Sequence, residues 1–518
     1  MKLTDFQKGL SIVLIAFFLL GGIIFATRVM MGDSFSKEEA QHALYGVWLA
    51  KDIRALDWGG FWYDTHRQMF WPFFHSWVLS IFFFIFGVGY LQARLLSFLL
   101  FFGMLILMYD VSFRLCSKSG WKIGLISVFL ALSSPLAIRY ATENTLEGLG
   151  AMIFLATFYL YTRCEQRKLT IDYVFLGLLM GLSIYTNYLY AYLMIPSFIV
   201  MTIGKVGPIF AQAVHLEHEG EKAALPFVWW AYRKLIVLAV LSTLIVSWFF
   251  TAAFSRKIML LLQAIFRYSG GDMVFGFWPT LFYYPWVIIN KFTFSPWLGL
   301  IFLVSLFTPF VAFRFAQFGK LYTFVWTVLI LATLTIPSKA PQIIYIIAPF
   351  IFMLAAAAVV YFMDKYKKHA ITAVAVILIP ALVSFPQLVG LYFPPQPAEK
   401  VVQVLDYFHQ SVLPRDPIAS AINTQRFPSE VVAFHFWDWN APVLVDPIIG
   451  DEEMFRGGQY FLSLELGTET MFEPTDDSSY RWNSFLAEKV KQGEAKEYSA
   501  RRFSALGLTA KIYEKTSR

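Results

Sequence analysis

The chain has 518 residues, of which 58% are hydrophobic, 19% aromatic and 15% charged, with a mean hydropathy of +0.58. Soluble domains carry roughly 25% charged and about 45–50% apolar residues, so a string of soluble domains is excluded, as are a disordered chain, a collagen-like fibre and a disulfide scaffold. The net charge of +7 is uneven: 13 basic and 18 acidic residues from Glu399 onward give −5, and the rest carries +12, a pattern that orients membrane helices and gives no nucleic-acid footprint.

A span needs about 20 mostly apolar residues, and excess Lys and Arg mark the cytoplasmic side. The basic start (Lys2, Lys8) leads into a first span at residues 10–26, read as an anchor rather than a cleaved signal, with a large outer loop over 28–90. The apolar block 72–86 is short and aromatic. Were it to span, Arg114, Lys118 and Lys122 would fall outside, so it is expected to lie along the outer interface. Spans are then expected at 91–113, 121–138, 146–162, 173–185, 190–204, 235–254, 296–313, 322–336, 343–363 and 371–392. That makes about eleven by the length criterion. The N-terminus is cytoplasmic and the C-terminus outside. Cys116 and Cys164 both fall at cytoplasmic ends, where thiols stay reduced.

After Pro394, Pro395 and Pro397 the character changes. Short β-like runs at 417–422, 443–445, 460–464 and 510–513 alternate with helical ones such as 480–491, as in a small α/β domain. The expected architecture is therefore an all-α polytopic membrane domain over 1–393, followed by a soluble extracytoplasmic α/β domain over 394–518.

Two outer loops carry acids beside the membrane. The first holds Asp33, Glu38 and Glu39, followed by Asp64, His66 and Arg67. Ser36 with Glu39 three residues on is a capping-box pattern, and acids in a first helical turn suit the helix dipole, so helix capping competes with chemistry for both glutamates. The second loop runs from Arg139 through Glu143 to Glu147. Those glutamates, four apart, share a helix face. Glu147 opens an apolar span, where an acid is costly unless paired or functional, and Arg139 is its expected partner. Lys339, just outside a span, reads as an interface anchor or as a cation for a lipid phosphate. His215, Glu217, His218 and Glu219 alternate as metal ligands do, but without further ligands they read as a solvated cytoplasmic loop.

This order of features resembles the GT-C superfamily of polyprenyl-phosphate-sugar glycosyltransferases, which includes protein O-mannosyltransferases and lipid A aminoarabinose transferases. Glu38-Glu39-Ala40-Gln41-His42-Ala43 is similar to the family's Asp-Glu-Ala-x-x-Ala. Lys339, Tyr345 and Pro349, running on to Ala358, resemble its later Lys and Tyr-x-x-x-Pro signature. The likeness covers the layout of residues 10–392. Two departures stand out: Glu38 replaces the family's catalytic Asp, with Asp33 as the substitute base, and Trp71-Pro72 stands where Pro-Pro is common. The resemblance implies a GT-C membrane enzyme that moves a sugar, with inversion, from a polyprenyl-phosphate donor to a lipid, glycan or protein acceptor. Its expected location is a bacterial inner membrane, with the chemistry on the extracytoplasmic face. The carboxylate base is expected among Glu38, Asp33 and Glu39. Arg139, Lys339 and Arg67 are expected to face the lipid phosphate, with Glu143, Glu147, Tyr345 and His66 binding substrate. No cofactor is required, and a divalent metal is left open because family members differ. The rival reading is a flippase or transporter of lipid-linked sugars. Against it, the spans hold few central ionisable residues, Asp110 being the main one, and the acids crowd one outer face.

Reporter fusions test the threading. A fusion at Lys118 should read cytoplasmic and one at the C-terminus extracytoplasmic; the reverse result at either point breaks the expected topology.

Overall fold

The computed structural model describes residues 4–68, 71–116, 119–167, 169–202, 276–307, 318–365, 383–424, 427–439, 441–445, 450–466 and 478–516, with 240, 242, 244, 247, 256–259, 262–263 and 272–273 in between. It is mostly helical, with a small sheet towards the C-terminus. Contacts divide it into two compact units, one of Met1–Val29, Trp62–His75 and Arg94–Phe393, the other of Met30–Phe61, Ser76–Ala93 and Pro394–Arg518.

In the first unit, four helices among the described residues are long and apolar enough to cross a bilayer: Asp5–Met30, Tyr90–Leu115, Phe318–Thr335 and Ala348–Lys365. A fifth is added if Gly120–Leu132 and Pro135–Thr142, bent by 70°, are taken as one broken span. The sequence pattern led us to expect a single helix over 121–138. The break has a local cause: Ser134 is extended, its hydroxyl accepts the Ala137 N–H at 3.3 Å, and Pro135 opens the next helix, where its missing N–H costs nothing. Where spans were expected at 173–185, 190–204 and 296–313, the helices Thr170–Thr186, Tyr188–Thr202 and Pro296–Ser305 are apolar but shorter than the spanning length. Those expected at 235–254 and 371–392 lie mostly outside the described residues.

Polar contacts fasten this unit. The Thr4–Gln7 capping box starts the first helix, and the Tyr109 hydroxyl donates to the Phe6 carbonyl at 3.1 Å over Gly9. Further along, Thr27 donates to the carbonyls of Ile23 and Tyr392, and the Arg28 guanidinium to that of Leu391. The two-residue strands β1 (Asp272–Met273) and β2 (Ser338–Lys339) pair antiparallel, bringing Asp272 into register with Lys339.

The second unit carries a five-stranded sheet. Strands β3 (Ile418–Ala419), β4 (Val443–Leu444), β5 (Tyr460–Leu466), β6 (Ala495–Phe503) and β7 (Leu508–Lys515) lie in the order β4-β3-β5-β7-β6. β3 runs parallel to β4 and β5, and β7 antiparallel to β5 and β6. Helix Ser478–Lys491 covers the sheet through Trp482, whose buried ring donates to the Leu462 carbonyl at 2.9 Å. The start of the first loop belongs to the same unit. Helix Lys37–Ala55 packs on helix Ser429–His435, and Phe35 is buried between the rings of Tyr90 and Phe434, at centroid distances of 4.6 and 4.8 Å.

One contact makes this packing depend on pH. His435 accepts the Tyr90 hydroxyl hydrogen at Nδ1 (3.2 Å), and its Nε2 lies 3.4 Å from Asp406 Oδ1, an arrangement met by the neutral tautomer with Nε2–H. Burial, reinforced by His409, pushes its pKa down from 6.5 to about 4, against a smaller upward pull from Asp438. Because the folded value lies below the unfolded one, the contribution is complete above pH 6.5 and is lost as pH falls towards 4. The protection of helix Ser429–His435 against hydrogen exchange, taken relative to the intrinsic rate at each pH, should therefore fall between pH 7 and pH 5. His435→Gln should flatten that dependence; an unchanged slope in the variant would assign the effect to other groups.

Candidate active site

The first-loop acids divide by what holds them. Ser36 is the N-cap of helix Lys37–Ala55 and forms a reciprocal capping box with Glu39: the Ser36 N–H donates to Glu39 Oε2 at 2.9 Å, and the Glu39 N–H to the Ser36 hydroxyl at 3.4 Å. Glu39 is only 3% exposed. Asp33 is engaged with another helix end. Its two carboxylate oxygens accept the backbone N–H groups of Val401 (3.2 Å) and Val402 (3.1 Å), the first residues of helix Val401–Ser411, and one also accepts the Ser34 N–H. Lys400 fastens the same junction by donating to the Met31 carbonyl. Glu38, in the first turn beside Glu39, is exposed.

The second loop gathers several expected residues. Arg139 pairs with Glu143 at 2.9 Å, one helical turn on, where Glu147 had been the expected partner. Glu147 opens helix Leu146–Arg167 and is 5% exposed. The Tyr345 ring is fully buried against Tyr140, with centroids 4.6 Å apart, and its hydroxyl is within electrostatic reach of Glu147. Tyr140 in turn donates to Gln342 at 3.4 Å. Pro341 at the first position starts the short helix Pro341–Tyr345 that places both partners.

Lys339 is 1% exposed, and its ammonium donates to the carbonyls of Ala332 (2.8 Å), Thr333 (2.7 Å) and Ile336, at the end of helix Phe318–Thr335. An ammonium has three donors, so all are committed to this helix end. Its charge lies 5.6 Å from the centre of the Tyr284 ring, and burial pushes its pKa down to about 8.

His66 and Arg67 end helix Trp58–His66, Arg67 pairing with Asp64 at 3.1 Å. His66 Nδ1 lies 3.2 Å from the ammonium of Lys257, a fully buried residue that the sequence reading did not single out. A signal was available: Arg256 and Lys257 follow a span on the side assigned to the exterior, where the positive-inside rule makes basic residues uncommon.

Among the described residues, no three His, Cys, Asp or Glu side chains converge as the ligands of an ion would. His215, Glu217, His218 and Glu219 lie outside the described residues.

Residues 71–218 match the family model described as dolichyl-phosphate-mannose-protein mannosyltransferase. The fold is similar to that of ArnT from Cupriavidus metallidurans. Its apo structure superposes with a TM-score of 0.60 at 15% identity, covering 96% of this chain and 97% of that one. The structure bound to undecaprenyl phosphate gives 0.57 at 14%, over 97% and 98%. The apo oligosaccharyltransferase of Archaeoglobus fulgidus gives 0.51 at 11%, over 88% of this chain and 69% of that one. No curated protein matches the chain significantly in sequence. Similarity this remote carries the fold, while function must be argued from the site. With apolar helices of spanning length, the chain is an integral membrane protein whose fold is similar to that of ArnT and whose residues 71–218 match the mannosyltransferase family model.

Proposed function

We propose that the protein transfers a sugar from a polyprenyl-phosphate donor to a hydroxyl of a lipid, glycan or protein acceptor, with inversion in one displacement. Glu38 is the general base. What supports this assignment is accessibility: Glu38 is exposed in the first turn of its helix, whereas the neighbouring Glu39 is buried. The undecaprenyl phosphate held by the ArnT structure supports a lipid-phosphate donor.

In the reaction, the acceptor oxygen forms a bond to the anomeric carbon while the bond from that carbon to the phosphate oxygen breaks. The electron pair stays on the phosphate, and the acceptor proton passes to Glu38. Arg139, paired with Glu143, and Arg67, paired with Asp64, supply cations that can re-pair with phosphate oxygens. Glu147 from the second loop and Tyr345 from helix Pro341–Tyr345 bind substrate hydroxyls, and His66 lies beside the lipid phosphate. Lys339 contributes by holding the end of the helix that leads into that region. The reading includes the threading given above: about eleven spans, a cytoplasmic N-terminus, a membrane domain over 1–393, and 394–518 outside a bacterial inner membrane.

Transfer assays with a polyprenyl-phosphate sugar test it. Glu38→Gln should lower kcat by roughly 10²–10⁴-fold with little change in donor KM, and Glu38→Asp should restore part of the rate. Asp33→Asn should mainly lower thermal stability. Full turnover by Glu38→Gln would remove the base assignment.

A further inference from the structure

Lys257 is a buried charge that the mechanism above leaves unused. Its ammonium lies 3.2 Å from His66 Nδ1, and Lys257 has no exposed surface. Two basic nitrogens at that distance share a hydrogen bond only if one of them offers a lone pair, because an imidazolium and an ammonium are both donors without an acceptor. The contact therefore fixes a dyad with one proton fewer than its full capacity. The electrostatics agree with the geometry. Burial pushes Lys257 down to about 8, and His66 is lowered by burial and then by the Lys257 charge. Lys257 faces His66 and its charge acts on it, while Asp64 and Arg67, two and one positions away on the same turn, pair with each other. His66 is part-exposed, so the dyad is open on one side.

The proposed reaction creates a need for such a group. The donor is a phosphodiester with a single negative charge. Once the sugar has left, the lipid carries a phosphomonoester whose second ionisation falls near pH ~6. The acceptor proton goes to a carboxylate, so the phosphate gains a second negative charge that no proton released in the step offsets. Resting on the donor proposed above, we propose that Lys257 and His66 form a proton-accepting phosphate site that takes up a second proton as the lipid phosphate becomes a dianion. The balance is simple: a proton from solvent enters the dyad, the N–H···N bond opens, and both nitrogens donate to phosphate oxygens. No oxidant, reductant or metal takes part.

The test is calorimetric titration of the full-length protein in detergent with undecaprenyl phosphate at pH 7.5, in two buffers of different ionisation enthalpy. Wild type should take up a proton on binding the monoester and none on binding the sugar-linked diester. Lys257→Met should abolish the uptake and weaken monoester binding about tenfold or more, as expected for loss of a charge-assisted contact. Lys257→Arg, permanently protonated, should keep most of the affinity and the uptake, because His66 Nδ1 remains the nitrogen that accepts the proton. His66→Asn is the second variant, and melting temperatures report whether each one folds. Undiminished proton uptake in folded Lys257→Met and His66→Asn overturns the dyad while leaving the donor assignment standing. A wild type that binds neither lipid and transfers no sugar from the donor overturns both. Wild-type transfer with equal proton uptake for the monoester and the diester overturns the dyad alone.

Discussion

Helix ends and chemistry compete for the same few charged side chains in this protein. A helix leaves four N–H groups and four carbonyls unsatisfied at its ends, and lipid supplies no water to satisfy them. With 15% charged residues in the chain, three of the candidate acids and bases are drawn to helix ends. Glu39 closes a capping box, Asp33 receives the first N–H groups of helix Val401–Ser411, and Lys339 collects the last carbonyls of helix Phe318–Thr335. Those assignments explain why neighbouring residues of the same type have different prospects. Glu38 and Glu39 are adjacent and chemically alike, yet only Glu39 occupies the third position after the cap, where a carboxylate can reach back to the Ser36 N–H.

This competition also sets what the sequence could reveal. Local patterns were legible: the Ser36–Glu39 spacing reads as a capping box, and the alternating runs of the tail read as strands, because each depends on residues a few positions apart. Strand β6 was missed because its sequence, Ala495–Phe503, is largely charged and polar, as suits an exposed edge strand. The break at Ser134 was hidden because apolar residues on both sides kept the hydropathy of a single span, although Ser134-Pro135 marks a helix start. Partners distant in sequence were out of reach altogether. Asp33 meets Val401 across 368 positions and Lys257 meets His66 across 191. Neither spacing leaves a trace in a periodicity argument, so Asp33 read as a spare base and Lys257 was not read as a site residue.

The long-range contacts also bear on how the candidate base is held. Residues 30–61 share a compact unit with the tail. The helix carrying Glu38 lies against helix Ser429–His435, with Phe35 buried among aromatic rings at its start and Lys51 donating to the Trp437 carbonyl further along. A glutamate at the first turn of a helix is only as well placed as the helix itself, and catalysis loses heavily when a base moves by an ångström. The tail thus serves as the support of the first loop, whatever else it binds.

That support imposes an order of events. The Asp33 carboxylate accepts from Val401 and Val402, and Lys400 donates to the Met31 carbonyl across 369 positions. None of these bonds can form until the chain up to about residue 402 has been made. Until then helix Lys37–Ala55 has its own capping box but lacks the aromatic packing around Phe35, since Phe434 comes later still. An isolated amphipathic helix is marginal in water without tertiary packing. The segment bearing the candidate base therefore settles into its final geometry only after the chain as far as Phe434 has been synthesised. By the same logic, damage to the tail should reach the first loop through its packing before it reaches the apolar spans, whose backbone hydrogen bonds are satisfied within each helix.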